Sequence, residues 1–494
     1  MSGLVANERI AAFLGSALEQ WETPGLIISV VRDDELVLAE GYGTREIATS
    51  ARPDGRTQFA IGSLSKAFGA AAIACLVEQG KIDWEDRVRT YLPWFELYDP
   101  WVSHEVRVRD LLAHRIGSDF TIEDRLIPVL TDGEDFVRRI RYLQPSAGFR
   151  SRYVYSNGMY VAAALLVEAV TGKSWAQFME ESIWRPLGMT DTTTDFRQVI
   201  RNVNHATPHW RIDGALHPLR QWEAEREAFD VSRASGAIIS TAHDMAQWLR
   251  LQLGQGRYRG QQVIDTSVFA QMHTPHTPIR GGLRDVIYWF THLSSADIKT
   301  RHWAYGLGWW VTDYRGRTLI CHTGTAAGFR GAVLMLPQER LGVYVGVNMP
   351  TELPFAAALT ALDEYLDCAD VDWSALFLQQ ARERDAQQRA LERDRQASRI
   401  SNTCPSLPLE RYAGTYRDNG ALGEIKIRHQ GSELLLTVGH EEGQLTHWHY
   451  DVFQLRWRGP VPRKTFLSFT LDSLGAAQSL HIEQSGTFTR MGDS

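Results

Sequence analysis

Strand-forming sequence in this chain is split between two distant places. Near the start, LIISVVR (26–32) and LVLAEGYG (36–43) are short apolar runs parted by Asp33, Asp34 and Glu35, the pattern of an antiparallel hairpin in a sheet with at least one buried face. Comparable runs return only at TLICH (318–322) and AVLMLPQERLGVYVGVN (332–348). A sheet begun early and completed late must carry the intervening chain as an insertion, and that insertion is predominantly helical. AFGAAAIACLVEQ (67–79), VAAALLVEAVTG (161–172) and DMAQWLRLQLGQG (244–256) are apolar or amphipathic runs that end at or just before glycine, where helices commonly stop. Ahead of the hairpin, Ile10, Phe13, Leu14 and Leu18 recur at helical spacing until Pro24 and Gly25, so an opening amphipathic helix is expected to pack on the sheet.

The pattern changes near Asp372. ALFLQQARERDAQQRALERDRQASRI (375–400) is helix-prone, with opposite charges such as Asp385 and Arg389 one turn apart, and reads as a solvated linker helix. Beyond Pro405-Ser406-Leu407-Pro408, the runs EIKIRH, ELLLTVG, VFQLRW, TFLSFTL and SLHIEQ follow at regular, turn-separated intervals, the signature of a small β-barrel or sandwich. The expected organisation is a catalytic-size domain over 1–372, a helical linker over 373–403 and an all-β domain over 404–494.

Composition narrows the functions. A formal charge of −7 on 494 residues is small, and the linker arginines are interleaved with acids, so neither nucleic acid nor an anionic membrane is called for. Four cysteines without paired spacing suggest neither a disulfide framework nor a zinc knuckle. The first residues lack a basic segment followed by an uninterrupted apolar run, so no signal peptide or membrane span is expected and the compartment read from the sequence is cytoplasmic. Sixteen histidines include no His-Glu-x-x-His spacing, so no metal and no cofactor are expected. Sixteen tryptophans point first to aromatic packing. A homo-oligomer is compatible with all of this.

The residues suited to chemistry lie at element junctions. Ser63-Leu64-Ser65-Lys66 stands immediately before the small-residue helix, which puts Lys66 one turn beyond Ser63 and within reach of its hydroxyl. A serine hydroxyl becomes a good nucleophile only when a base removes its proton, and a helix N-terminus favours the charge that develops on attack. Taken alone, Ser-x-x-Lys is frequent by chance and would describe the start of a surface helix. Tyr155-Ser156-Asn157 precedes a second small-residue helix and supplies a phenol able to act as a general base; alone, it would describe a turn with a packed tyrosine and an Asn cap. His322-Thr323-Gly324 closes TLICH just ahead of Thr325, where glycine lets a substrate approach the strand edge. A second His-x-Gly, His429 to Gly431, falls between two strand signals and reads as turn chemistry.

Ser-x-x-Lys, Tyr-x-Asn and His-x-Gly in this order resemble the penicillin-recognising serine hydrolases, the family of class C β-lactamases, DD-peptidases, D-aminopeptidases and related esterases. TPGLIISVVRDDELVLAEGYG, FAIGSLSKAFGAAAI, VRVRDLLAHRIG, IWRPLGMTDT and GAIISTAHDMAQWL extend the resemblance from about residue 5 to about residue 350. It implies an α/β fold of the β-lactamase type, an antiparallel sheet flanked by helices beside an all-helical region, followed by a lipocalin-like β-barrel such as some D-aminopeptidases carry, here opening with YAGTY (412–416). By resemblance Ser63 is acylated, Lys66 and Tyr155 move protons, Asn157 contacts the acyl-side amide of the substrate, and the backbone N–H groups of Ser63 and Thr325 form the oxyanion hole. His322 and Gly324 complete the substrate-binding edge. True β-lactamases carry lysine where this chain has His322, and a largely neutral imidazole suits an anionic β-lactam poorly. Thr325-Ala326 replaces the small pair of many relatives and narrows that edge. The resemblance implies a peptidase or amidase acting on a small molecule or short peptide, with a carboxylesterase as the alternative. A weak β-lactamase and a sensor that captures an acyl group without turnover rank behind these. The barrel is expected either to trim the cleft or to serve stability or oligomerisation.

Overall fold

In a computed structural model, residues 3–492 are described apart from 131, 220–230, 282–297, 327, 460 and 462. The hairpin read at the start is β1 (Gly25–Arg32) and β2 (Glu35–Gly43). Asp33 and Asp34 between them both have positive φ, as a two-residue turn between right-twisted strands requires. The partners are β3 (Thr277–Pro278), β4 (Trp303–Tyr305), β5 (Trp310–Tyr314), β6 (Arg317–Ala326), β7 (Phe329–Leu336) and β8 (Leu341–Val347). The eight form one antiparallel sheet in the order β2-β1-β8-β7-β6-β5-β4-β3. The join between the distant halves is the β1–β8 ladder, running from Leu26 opposite Val347 to Arg32 opposite Leu341.

Both faces of the central strands are covered, which is why they read as unbroken apolar runs rather than as alternation. On β1, Leu26, Ile28 and Val30 belong to one core while Ile27 and Val31 belong to another. The first core lies under α1 (Gly3–Gln20), α5 (Leu353–Leu366) and the first turns of α6 (Trp373–Ala397). The second holds the inserted helices, chiefly α2 (Ser65–Glu78), α3 (Gly158–Thr171) and α4 (Ala242–Leu253). Every residue of α2 from Ser65 to Leu76 is buried, because its alanines and Gly69 let neighbours come close. A Cβ on Gly69 would lie 2.9 Å from that of Ala234, and Phe68 stacks on Trp248 with ring centroids 3.8 Å apart.

Helix α6 is anchored at its start by Asp363, which accepts from Trp373 Nε1 at 2.8 Å, from Tyr314 Oη at 2.6 Å and from Arg315 Nη2 at 2.9 Å. Its remainder is mostly exposed and runs on to the C-terminal domain, where Arg395 pairs with Glu483 at 2.9 Å. That domain is a closed eight-stranded barrel. Its strands are β9 (Gly414–Arg417), β10 (Glu424–Gln430), β11 (Glu433–Val438), β12 (Glu441–His449), β13 (Val452–Trp457), β14 (Arg463–Leu471), β15 (Ala477–Ile482) and β16 (Gly486–Arg490). Tyr412, Tyr416, Leu436, Phe453, Leu455 and Phe488 fill it. A loop of the barrel touches the helical region: Asn419 donates to the Tyr142 carbonyl at 3.0 Å, and Arg139 to the Ala421 carbonyl at 3.1 Å. No helix among the described residues is long and apolar enough to cross a membrane.

Candidate active site

Two glycines fix the position of Ser63. It lies in a single 3-10 turn, Gly62–Leu64, that runs directly into α2. Gly62 has φ +55, and a Cβ there would lie 2.5 Å from Thr325 N. A Cβ on Gly324 would lie 1.9 Å from the Ile61 carbonyl oxygen and 3.0 Å from Ser63 N. Neither position admits a side chain, so the end of β6 rests on the Ser63 turn and the backbone N–H groups of Ser63 and Thr325 belong to one junction. Ser63 itself is half-buried, whereas Leu64, Ser65 and Lys66 are buried.

Lys66 extends from the first turn of α2 to meet three partners: Ser63 Oγ at 3.1 Å, Asn157 Oδ1 at 2.7 Å and the Ser235 carbonyl at 2.8 Å. Amide and carbonyl oxygens only accept, so they take two protons of the amine in either charge state. The third tetrahedral position therefore faces Ser63, as an N–H when the amine is charged and as a lone pair when it is neutral. Burial pushes the amine down to about 7, against the opposing pull of Asp124 and Glu123. Near neutral pH a substantial share of Lys66 thus presents a lone pair to the serine hydroxyl.

Tyr155 and Asn157 stand at the entrance to α3. The Tyr155 phenol lies against Ser63, and its ring centroid is 4.7 Å from Lys66 Nζ. Burial holds the phenol well above its usual range despite the contact with Ser63, so it stays protonated at neutral pH. Asn157 turns its carbonyl to Lys66 and its amide nitrogen to Asp124, at 2.8 and 3.0 Å from the two carboxylate oxygens. Glu123, fully buried, accepts from Ser118 Oγ, from Ser156 Oγ at 2.8 Å and from Gly158 N at 2.9 Å, and so pins the turn that carries Tyr155 and Asn157. His114 accepts from Ser156 N at 3.1 Å and lies beside the Tyr155 ring.

His322 is buried beneath the site. Its ring stacks on Trp310 at 4.2 Å and 3°, its Nε2 is 3.1 Å from the Tyr305 hydroxyl, and its Nδ1 is 2.6 Å from the Thr323 carbonyl. Burial and the nearby Lys66 push it down to about 3, so the imidazole is neutral at physiological pH. The sequence from Tyr288 to Trp310 is rich in Trp and Tyr and is a candidate lining for the cleft; its residues 288–297 lie outside the described residues, while Trp303, Tyr305, Trp309 and Trp310 are buried, the last of these behind His322. Thr325 is exposed and accepts from Arg330 at 3.3 Å. His429 and Gly431 sit far off, at the end of β10 and in the turn after it.

All seven residues singled out from the sequence, Ser63, Lys66, Tyr155, Asn157, His322, Gly324 and Thr325, thus meet at one place. The sequence did not disclose Glu123, Asp124, His114 or the Ser235 carbonyl. TIEDR (121–125) reads as a polar surface turn, and a backbone carbonyl leaves no trace in a sequence. Among the described residues no group of three or more His, Cys, Asp or Glu side chains could hold a metal ion.

Fold and side chains together define a serine-hydrolase scaffold of the β-lactamase type. Residues 10–366 match the Beta-lactamase family model, and the chain belongs to that family. Residues 398–492, which hold the barrel, match a second model described as a domain of unknown function, DUF3471. The unguisins hydrolase ungD of Aspergillus violaceofuscus (strain CBS 115571) is 27% identical over 465 residues, covering 87% of this chain and 78% of the relative. The octameric penicillin-binding protein homologue from Pyrococcus abyssi shares the fold at 20% identity and a TM-score of 0.62, covering 98% of this chain and 99% of that one. The D-amino acid amidase from Ochrobactrum anthropi SV3, solved with L-phenylalanine amide, does so at 19% identity and 0.59, covering 73% of this chain and 99% of the amidase.

Proposed function

We propose that the protein is a serine hydrolase that cleaves peptide or amide bonds of small substrates through an acyl-enzyme at Ser63. The observation that carries this is the Lys66 amine, held by two acceptor-only groups with its third position on Ser63 Oγ. In acylation, neutral Lys66 takes the hydroxyl proton as Oγ attacks the carbonyl carbon. The oxygen that gains charge is received by the N–H groups of Ser63 and Thr325. Tyr155, protonated and against Ser63, gives its proton to the departing amine and takes in exchange the one Lys66 received, so that Lys66 and Tyr155 both return to their starting states as the amine leaves and the carbonyl reforms. A water then attacks the ester at Ser63 with Lys66 again as base, releasing the acid and restoring the serine.

Amide cleavage ranks above β-lactam hydrolysis because His322 offers no cation for a substrate carboxylate. The name of the fungal relative is consistent with a hydrolase. Carboxyl esters pass through the same steps with an easier leaving group. Steady-state hydrolysis of matched p-nitroanilides and p-nitrophenyl esters of D- and L-amino acids tests the assignment, with Ser63→Ala as the blank. Anilide turnover that vanishes in the variant is the expected result. Turnover of esters alone would make the protein an esterase, and rates independent of Ser63 would remove the acyl-enzyme altogether.

A further inference from the structure

We infer that Asp124 is a positioning residue for proton transfer: its carboxylate locks the Asn157 amide in the orientation that aims the lone pair of Lys66 at Ser63. This rests on the assignment of Lys66 as the base for Ser63. An asparagine amide is nearly symmetric in shape, so something must decide which end meets the lysine. Were Asn157 reversed, its NH2 would donate to Lys66, and a neutral amine would spend its lone pair there instead of on Ser63. In its ionised form the Asp124 carboxylate accepts only, and with both oxygens within 3.0 Å of Asn157 Nδ2 it excludes the reversed state. Oδ1 is thereby committed to Lys66 at 2.7 Å.

Neighbouring charges do not substitute for it. Glu123, next in sequence, is spent on Ser118, Ser156 and the Gly158 N–H. Asp119 caps the short helix Phe120–Glu123 through Thr121 N. From the packed elements, Asp124 is faced by Lys66 on α2 and by Tyr155 ahead of α3, while His114 and His322 approach Lys66 rather than Asp124. Desolvation pushes Asp124 up to about 7, and its charge in turn supports that of Lys66. The carboxylate therefore acts twice, by orienting the amide and by holding the lysine proton more tightly than the pocket alone would.

These two effects make Asp124→Asn diagnostic. Losing a negative charge beside an ammonium lowers the pKa of that ammonium, so the acid limb of the rate should move to lower pH by about one pH unit. The plateau should fall by about ten-fold or more as the unlocked amide diverts the lone pair. Both are read from the pH dependence of p-nitrophenyl acetate hydrolysis and of Ser63 labelling by a fluorophosphonate, with near-ultraviolet circular dichroism as the fold control. A merely structural role would lower the rate without moving the limb. Asp124→Ser carries the same prediction should Asp124→Asn not fold. Because the orienting effect, and with it the plateau, passes through Asn157, adding Asp124→Asn to Asn157→Ala should lower the plateau little beyond Asn157→Ala alone. A folded Asp124→Asn with an unmoved acid limb, or full additivity in the double variant, would overturn the inference. Turnover and labelling that survive Ser63→Ala would instead overturn the acyl-enzyme on which it rests.

Discussion

Lys66 can act as a base only while its amine is neutral, so the sign of the pH dependence follows from its lowered pKa. Below about 7 the amine gains a proton and turns an N–H toward Ser63; kcat/KM should therefore fall on the acid side of about pH 7 and level off above it. His322, pushed down to about 3, stays neutral throughout, and Tyr155, held well above its usual value, imposes no alkaline limb below about pH 9. Lys66→Arg keeps a permanent charge in that position. It should lower kcat/KM by about 10²- to 10⁴-fold at every pH, without the acid limb. Gly324→Ala tests the neighbouring contact: its methyl group would have to enter the space of the Ile61 carbonyl, prising β6 from the Ser63 turn. A loss of about 10²- to 10³-fold in kcat is expected, the cost of one oxyanion donor, and it should be measured at saturating ester so that binding does not mask it.

At the scale of elements, Asp363 is the joint that ties β5, α5 and α6 together. Its side chain is almost fully buried among donors from Tyr314, Arg315 and Trp373. Asp363→Ala leaves the Tyr314 and Trp373 donors without their acceptor, and Arg315 with Asp370 alone, and should destabilise this domain by about 3–5 kcal/mol. Urea unfolding followed by tryptophan fluorescence would register this, with a barrel transition left in place. The elements that the sequence disclosed were those whose burial repeats cleanly: β1, β7 and β8 as unbroken apolar runs, α2 and α3 as small-residue helices. β12 escaped because EEGQLTHWH turns only Gly443 and Leu445 onto the barrel core, while Trp448 is buried on the outer face against Phe466 and Arg399, the ladder shifting register between His447 and His449. β9 and β16 are four and five residues long, and β3 and β4 are shorter still, too brief for any period to emerge. The candidate site was legible where residue types are unusual for a junction, as in Ser63, Lys66, Tyr155 and Asn157. Glu123 and Asp124 were not, because acidic residues in a short polar turn carry no sign of burial until distant helices close over them.

Across the whole molecule, the segment from Phe120 to Tyr142 links site and barrel. Its first residues face the chemistry: Phe120 meets the Tyr155 ring edge-on at 5.3 Å, and Asp124 holds Asn157. Its last residues meet the barrel: Tyr142 and Arg139 bond the loop at Asn419 and Ala421, and Val129 packs against Gly439 so closely that a Cβ on the glycine would lie 2.6 Å from Val129 Cα. Between the two sides lies a cleft of about 420 Å³ lined by Arg125, Tyr142 and Asn419 among others. This segment is built of short helical pieces, Phe120–Glu123, Ile127–Val129, Gly133–Arg139 and Ile140–Tyr142, too short to hold their arrangement alone, so docking of the barrel should brace the site rather than merely obstruct it. Gly439→Val would wedge the two apart without substituting any residue of the site. Bracing predicts that kcat/KM falls for small and bulky p-nitrophenyl esters alike, by about ten-fold, the scale of a catalytic group slightly misplaced. Proteolysis in the stretch between α6 and β9 should quicken in the same variant, reporting the loosened barrel. A barrel that only trims the cleft would give the opposite selectivity, with bulky esters gaining rate and acetate unchanged, so the ratio of the two rates decides between a brace and a gate.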